Sequence, residues 1–394
     1  MFDKICVRPR TASLLNISFL VESMLFYGNT IVVCGRDEIE TLLKYFGEDF
    51  LYELISSGRI NLQVKENYFG SAINKDGRYG IGLFEKNDSD YSNVLYHAHR
   101  KLINNSFKNN KFADRFSKIT VPFKYDSAIP GQIKSTFQDM DYIRNSFIAY
   151  ILKKEPSFRF DDNFEISIAN VPPSADFPFE AFRCVSNIDV SEFNKYNSLT
   201  ENSESFNYAS FLLAFAESKG DIFLSSHFDA ELSTTEISSE LIKIDFQHIV
   251  RKRLDSQTNI DLFDECVLND CFLIGEAYVN QTISNDQLLL LLEKSDKFRG
   301  WLKKVPDDKN LVQEYYTEVT RETFADKLTG KSSRFMFFNG VGMALNLAGL
   351  GGIGTAISIG LSAFDYFYLD KLLKGWRPNQ FIDQDFKPLL KKNP

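Results

Sequence analysis

Residues 30–65 read TIVVCGRDEIETLLKYFGEDFLYELISSGRINLQVK, and the alternating patterns in this stretch decide the fold class. TIVVCG and INLQVK are short apolar runs typical of buried strands, whereas the two segments between them carry apolar residues at helical spacing. Asp37 is expected to cap the first helix, and Gly47 and Gly58 are expected to end the two helices. The order strand, helix, helix, strand predicts a small α/β layer.

The sequence on either side extends this layer. Residues 4–9, KICVRP, predict a strand, and residues 16–28, NISFLVESMLFYG, predict a helix whose apolar side is formed by Ile17, Leu20, Val21, Met24 and Leu25. Downstream, Lys75-Asp76-Gly77 is a hairpin turn signal, because a glycine at position 77 can take the positive φ that such a turn needs. We therefore predict a small α/β domain over residues 1–86.

Beyond residue 86 the helical pattern dominates. Residues 87–202 predict a mixed helical and strand region, with one long helix over 131–155 and two paired strands flanking Pro172-Pro173. Residues 203–330 predict a helical domain with helices over 203–220, 234–254, 284–305 and 307–330, and Ser284 with Gln287 has the form of a capping box. The predicted fold class is α+β: an N-terminal α/β module of short strands and helices, then a mostly helical C-terminal half that ends in a Gly-rich apolar helical hairpin over 331–394.

Composition and charge exclude several classes of protein. The chain of 394 residues is 44% hydrophobic and 25% charged, which is typical of globular proteins and not of disordered or fibrous ones. Its net charge of −8 has the wrong sign for a surface that binds nucleic acid, so no nucleic-acid partner is expected. Five scattered cysteines, and the lack of an apolar targeting stretch after MFDKICVRPR, predict a reducing cytoplasm.

Residues 335–364, FMFFNGVGMALNLAGLGGIGTAISIGLSAF, are thirty consecutive residues without a charge. Seven of the twenty-one glycines lie between residues 340 and 360. Glycine inside a helix in water costs about 1 kcal/mol relative to alanine, whereas in lipid small residues let helices approach closely. The candidate contact and bend residues are Gly340, Ala344, Gly349, Gly351, Gly352, Gly354, Ala356 and Gly360.

The flanks of this segment resemble those of segments that lie at a membrane interface. Aromatic and basic residues stand on both sides of it, as they do at the rims of membrane segments. The candidate interfacial anchors are Arg334, Phe337, Phe338, Tyr366, Tyr368, Lys371, Lys374 and Trp376. Residues 327–394 hold nine basic and four acidic side chains, a net charge of +5 that leaves −13 for residues 1–326. A basic tail on an acidic body suits an anionic membrane surface.

Three arrangements of the uncharged segment remain open. Thirty residues suffice for one tilted membrane span. Alternatively, the four glycines between 349 and 354 bend the chain into a hairpin whose arms are each too short to span alone. Such a hairpin either engages the membrane or packs as the core of a soluble helical domain. We favour the hairpin over the single span.

No motif specifies a reaction. His97 and His99 stand two residues apart on a predicted helix and supply too few ligands for a metal site. Gln63 and Lys65 on the predicted strand, with Asp49 upstream, have the spacing of a metal-dependent nuclease, but that spacing is loose. We therefore expect no catalytic residues, no metal and no cofactor, and favour a non-enzymatic role.

These patterns together predict a cytoplasmic, bacterial-type effector that conditionally engages or permeabilises the inner membrane through its Gly-rich hairpin, in the manner of a toxin or a phage-defence protein. Its expected partners are an anionic membrane surface and either another protein or further copies of itself. The alternative hypothesis is a soluble interaction or scaffold protein whose hairpin is buried as core.

Overall fold

A computed structural model of the protein describes residues 3–9, 15–74, 76–85, 91–172, 180–197, 206–245, 274–304 and 380–386. Its helices together with its parallel and antiparallel sheets make the fold α+β, as predicted. The strands are β1 Lys4–Val7, β2 Asn29–Cys34, β3 Ile60–Lys65, β4 Asn67–Ile73, β5 Tyr79–Glu85, β6 Val121–Phe123, β7 Ile166–Val171, β8 Glu180–Ser186 and β9 Glu231–Ser233.

The helices are α1 Ile17–Phe26, α2 Arg36–Phe46, α3 Glu48–Ser56, α4 Tyr91–Arg100, α5 Ser106–Phe116, α6 Ile129–Thr136, α7 Met140–Lys154, α8 Val190–Asn197, α9 Tyr208–Phe228, α10 Glu236–Asp245, α11 Ile274–Val279 and α12 Asn285–Leu302. A π-helical segment, Gln380–Phe386, follows. The chain divides into two compact units. The first comprises residues 1–3, 17–28 and 251–394, and the second comprises residues 4–16 and 29–250.

The second unit contains a parallel sheet of five strands in the order β6-β3-β2-β1-β9. Val33 and Cys34 of β2 are fully buried, as are Cys6 of β1 and Val64 of β3. Such continuous burial explains why these strands are apolar along their length rather than alternating. All five carboxyl ends lie at one edge of the sheet.

The second unit also contains an antiparallel sheet of four strands in the order β4-β5-β8-β7. Helix α9 contacts both β1 and β9 of the parallel sheet and both β4 and β5 of the antiparallel sheet. Aromatic rings fill the core around α9. The ring centroid of Phe147 lies 5.1 Å from that of Phe211, and the ring centroid of Phe137 lies 5.1 Å from that of Phe215. Phe206 and Phe182 are buried in the same core.

The first unit contains α1, α11, α12 and the π-helical segment. The apolar side predicted for α1 is buried, with Leu20, Val21 and Leu25 fully inaccessible. Gly275 at the start of α11 lies so close to α1 that a Cβ there would stand 2.3 Å from the carbonyl oxygen of Ser18. Glycine at this position therefore permits the close contact of the two helices.

Several local predictions are confirmed. Gly47, Gly58 and Gly77 all have positive φ, at 74°, 74° and 79°. The strands flanking Pro172-Pro173 pair antiparallel as β7 and β8. Ser284 and Gln287 form the predicted capping box, with the Gln287 amide donating to Ser284 Oγ at 3.3 Å and the Ser284 amide donating to Gln287 Oε1 at 2.9 Å.

Four local predictions are wrong. Gly35, not Asp37, caps α2, because Glu38 reaches back to accept from the Gly35 amide at 2.7 Å. The helix predicted over 131–155 is split into α6 and α7, because Asp139 starts a new helix by accepting from the Tyr142 amide at 3.0 Å. The helix predicted to end at Gly220 continues to Phe228. The helical pattern predicted beyond residue 203 is interrupted by strand β9. This strand follows Asp229, whose backbone φ of 48° is left-handed and ends α9.

The predicted boundaries at residues 86, 202 and 330 remain predictions. The uncharged segment 335–364 and its flanking anchors lie outside the described residues.

Candidate functional site

The candidate site lies at the carboxyl edge of the parallel sheet, where β1 and β9 are neighbours. From β1 the chain adds β2, β3 and β6 on one side, and then β9 on the other side. The strand order therefore reverses between β1 and β9, and parallel α/β sheets bind ligands outside the carboxyl ends of their strands at such a switch point. Arg8 directly follows β1 and Thr234 directly follows β9, and the Arg8 amide donates to the Ser233 carbonyl oxygen at 3.2 Å.

A buried ion pair connects the two strand ends. The Arg8 guanidinium donates from Nη1 to Asp221 Oδ1, and Thr234 donates from Oγ1 to Asp221 Oδ2. The Asp221 side chain is fully buried and the Arg8 side chain is only 10% exposed. Both carboxylate oxygens of Asp221 are thus occupied, as a buried charge requires.

A second carboxylate stands one helical turn away from Asp221. Glu217 and Asp221 lie at i and i+4 on α9 and therefore on one side of that helix. Glu217 Oε1 lies 3.6 Å from Arg8 Nη2, and its side chain is 34% exposed. Burial raises the pKa of Glu217, and Asp221 adds to this effect, while Arg8 and Lys65 oppose it. Lys65, at the end of β3, thereby belongs to the same cluster of charges.

The surroundings of the ion pair are closely packed. A Cβ on Gly220 would lie 2.4 Å from Phe69 Cε2 and 3.2 Å from Tyr125 Cε1, so glycine allows α9 to approach both rings. Burial raises the pKa of Tyr125, and burial together with Asp221 raises the pKa of Cys6 to about 12. Burial alone would lower the pKa of Arg8. The electrostatic influence of Asp221, Tyr125 and Glu217 outweighs this effect, so the pKa of Arg8 is raised.

This arrangement is suited to binding a polar ligand. Arg8 and Lys65 offer donors, Glu217 offers a half-buried acceptor, and Arg8 Nε is a buried donor with no partner among the described residues. Buried donors without a partner are rare in folded proteins. Within the described residues, no group of three or more His, Cys, Asp or Glu side chains is placed to hold a metal.

The sequence did not single out Arg8, Glu217, Asp221 or Thr234. Two signals were present: a basic residue directly after the first strand, and two carboxylates four residues apart inside the apolar helix FLLAFAESKGDIFL. A carboxylate pair on the apolar side of a helix is costly unless it is matched by a buried partner.

Of the weaker sequence candidates, Lys65 lies in this cluster of charges, whereas Asp49, Gln63 and His99 have other partners. Asp49 is 92% exposed and pairs with Arg115 at 2.8 Å. Gln63 Nε2 donates to Asn61 Oδ1 at 2.8 Å. His99 is buried, stacks on Phe112 and has Nδ1 2.7 Å from Asn109 Oδ1, so it serves the packing of α4 on α5.

The structure describes none of the predicted hairpin and anchor residues, but it describes both sides of them in the first unit. Helix α12 ends at Leu302, shortly before residues 305–379. The chain that follows them, Gln380–Phe386, packs on the same helix. The Phe381 ring stacks on Phe298 at 5.1 Å, and Lys294 pairs with Asp385 at 2.7 Å. Phe381, Ile382 and Phe386 are buried. No helix in the described part of the chain combines the length and apolarity needed to cross a bilayer.

Family models, curated proteins and solved structures gave no significant match to this chain.

Proposed function

We propose that this protein is a bacterial-type effector that conditionally engages or permeabilises the inner membrane through residues 331–394, in a toxin or phage-defence role. The proposal rests on the thirty uncharged residues 335–364, their glycine content and their aromatic and basic flanks. The net charge of −13 on residues 1–326 keeps the body in water while the tail is basic.

The return of the chain to α12 supports the hairpin form of this proposal. A single crossing would place the residues before and after it on opposite sides of the bilayer. Phe298 and Phe381 stand on either side of the uncharged segment, yet their rings are 5.1 Å apart. Because the chain before residue 305 and the chain after residue 379 meet at one helix, we infer that the segment enters and leaves the bilayer on the same side, as a hairpin does. This contact is the observation that carries the proposed geometry.

A conditional response follows from the energetics of apolar surface. While the hairpin is packed against protein, the molecule stays in water. A trigger or partner that weakens this packing exposes apolar surface, whose transfer into lipid yields about 25 cal/mol per Å². The trigger therefore acts by shifting the population between a packed and an exposed hairpin.

Liposome experiments test the proposal. Protein synthesised in a cell-free system with vesicles of phosphatidylethanolamine and phosphatidylglycerol meets lipid before the hairpin has packed, so it is expected to float with the vesicles and to release an entrapped dye without the trigger. Gly352→Leu is expected to abolish dye release, because a large side chain prevents the close approach of the two arms. Gly131→Leu is the matched control, because a Cβ on Gly131 of α6 meets nothing within 4 Å.

The burial of Phe381, Ile382 and Phe386 favours one alternative: a soluble interaction or scaffold protein in which the hairpin is core. In that case the protein does not float with vesicles, and Gly352→Leu only lowers its melting temperature. Float fractions and melting curves of the same two variants therefore separate the two functions.

A further inference from the structure

The carboxyl edge of the parallel sheet carries basic residues on three of its strands. Arg8 directly follows β1, Lys65 ends β3 and Lys124 directly follows β6. The strand between β1 and β3 ends at Cys34 and is followed by Gly35, which has no side chain to cover the edge. Neighbouring strands are about 4.8 Å apart, and the strand register sets Lys65 two residues beyond the level of Arg8. The backbones of Arg8 and Lys65 are therefore separated by roughly 12 Å, a distance that two long side chains bridge toward a chain of phosphates.

The turn after β9 adds hydroxyl and amide donors beside Arg8. Ser233, Thr234 and Thr235 lead into α10, and Thr235 Oγ1 accepts from the Ser238 amide at 3.0 Å. The amino end of a helix that follows a strand favours a phosphate, because its amides and its dipole point toward the anion.

Two buried polar groups flank this turn and have no partner among the described residues. One is Arg8 Nε, on a side chain that is 10% exposed. The other is Ser238 Oγ, on a residue that is 1% exposed. Guanidinium and hydroxyl groups are the donors that recognise phosphate oxygens. Arg8 Nε lies on a different element from the helix end and is independent of it, whereas Ser238 belongs to the first turn of α10.

We propose that the carboxyl edge between β1 and β9 binds a nucleoside phosphate. The phosphates lie toward Arg8, Lys65 and the start of α10, and Glu217 accepts a hydrogen bond from the nucleoside half. An acidic side chain near the phosphate site of a parallel sheet commonly accepts from a sugar hydroxyl in this way. The two positive side chains, Arg8 and Lys65, are matched by the two carboxylates of Glu217 and Asp221. An anion that has no hydrogen-bond donor is therefore disfavoured, because the carboxylates repel its charge and it offers them no hydrogen bond in return.

Calorimetric titration of the full chain tests this site with ATP, GTP, adenosine and tripolyphosphate as probes. At least one of the two nucleotides is expected to bind, and more tightly than tripolyphosphate and adenosine. Lys65→Gln is expected to weaken that binding at least tenfold. Lys65 is only half-buried at the end of β3, so this variant is expected to keep a melting temperature close to that of the wild type.

The matched control is Lys44→Gln, in the last turn of α2, which removes the same charge from an exposed side chain. It is expected to leave binding unchanged. Failure of all four probes to bind overturns the proposal, and so does equal weakening by both lysine variants. Tripolyphosphate binding as tightly as the nucleotides overturns the assignment to a nucleoside phosphate.

Discussion

Asp221 on α9 holds the guanidinium of Arg8 at the end of β1, and the pair is buried within the second unit. This contact joins the longest described helix to the strand from which the parallel sheet extends in both directions. A buried pair of this kind depends on both of its members, because either charge left alone in the interior is strongly unfavourable.

Asp221→Asn is therefore expected to lower the free energy of unfolding by about 3–5 kcal/mol, because it leaves the Arg8 charge buried without its partner. Urea unfolding measures the change. The double variant Arg8→Met, Asp221→Leu is expected to lose clearly less than the sum of the two single variants. Strict additivity of the two would show that the side chains do not interact.

Glu217→Gln is expected to change how stability depends on pH. Because the pKa of Glu217 is raised in the folded protein, the folded state binds its proton more tightly than the unfolded state does. The wild type therefore loses stability through this group as the pH rises from its unfolded pKa through its folded pKa. The melting temperature of Glu217→Gln relative to wild type is expected to rise over that interval and then level off.

The control for this titration is Glu85→Gln, which removes one carboxylate whose side chain is 76% exposed. A Glu217→Gln variant that loses stability relative to wild type as the pH rises would contradict the assigned direction of the shift.

Gly220→Ala is expected to be destabilising by about 1–3 kcal/mol, because the added methyl group overpacks a filled core. Its Cβ would stand 2.4 Å from Phe69 Cε2. Gly300→Ala on α12 is the opposite case, since a Cβ there meets nothing within 4 Å. Alanine is about 0.5–1 kcal/mol better than glycine inside a helix, so this variant is expected to be neutral or stabilising. Thermal unfolding compares the two, and equal effects would contradict the packing described at Gly220.

Phe381→Ala is expected to lower the stability of the first unit by about 3–5 kcal/mol, since it removes a fully buried ring. Phe381 is 1% exposed and stacks on Phe298. Leu290→Ala, on the same helix α12, is the control because Leu290 is 52% exposed. Hydrogen exchange of α12 measures the effect, and unchanged protection in Phe381→Ala would show that the chain does not return to this helix.

The sequence predicts the fold where a residue acts locally. Gly47, Gly58 and Gly77 end helices or form turns through their own φ angles, and the Ser284 capping box involves residues three apart. Strand β9 is only three residues long, so it carries no periodic signal, and its place in the sheet depends on pairing with β1.

The candidate site was not predictable for the same reason. Arg8 and Asp221 are 213 residues apart, and only the folded sheet brings them together. Glu217 and Asp221 were visible as a pair on one side of a helix, but their partner on β1 was not. The hairpin prediction differs, because the residues that would form it lie outside the described part of the chain, and it stays a prediction.

The most direct test of the central claim is the sidedness of the C-terminus. The chain is synthesised in the presence of vesicles of phosphatidylethanolamine and phosphatidylglycerol, with an epitope tag after Pro394, and floated vesicles are then treated with external protease. A membrane hairpin between α12 and the segment 380–386 that packs on it predicts that the protein floats and that the tag is digested while the vesicles are intact. A tag that is protected until detergent is added, or a protein that never floats, would contradict the account.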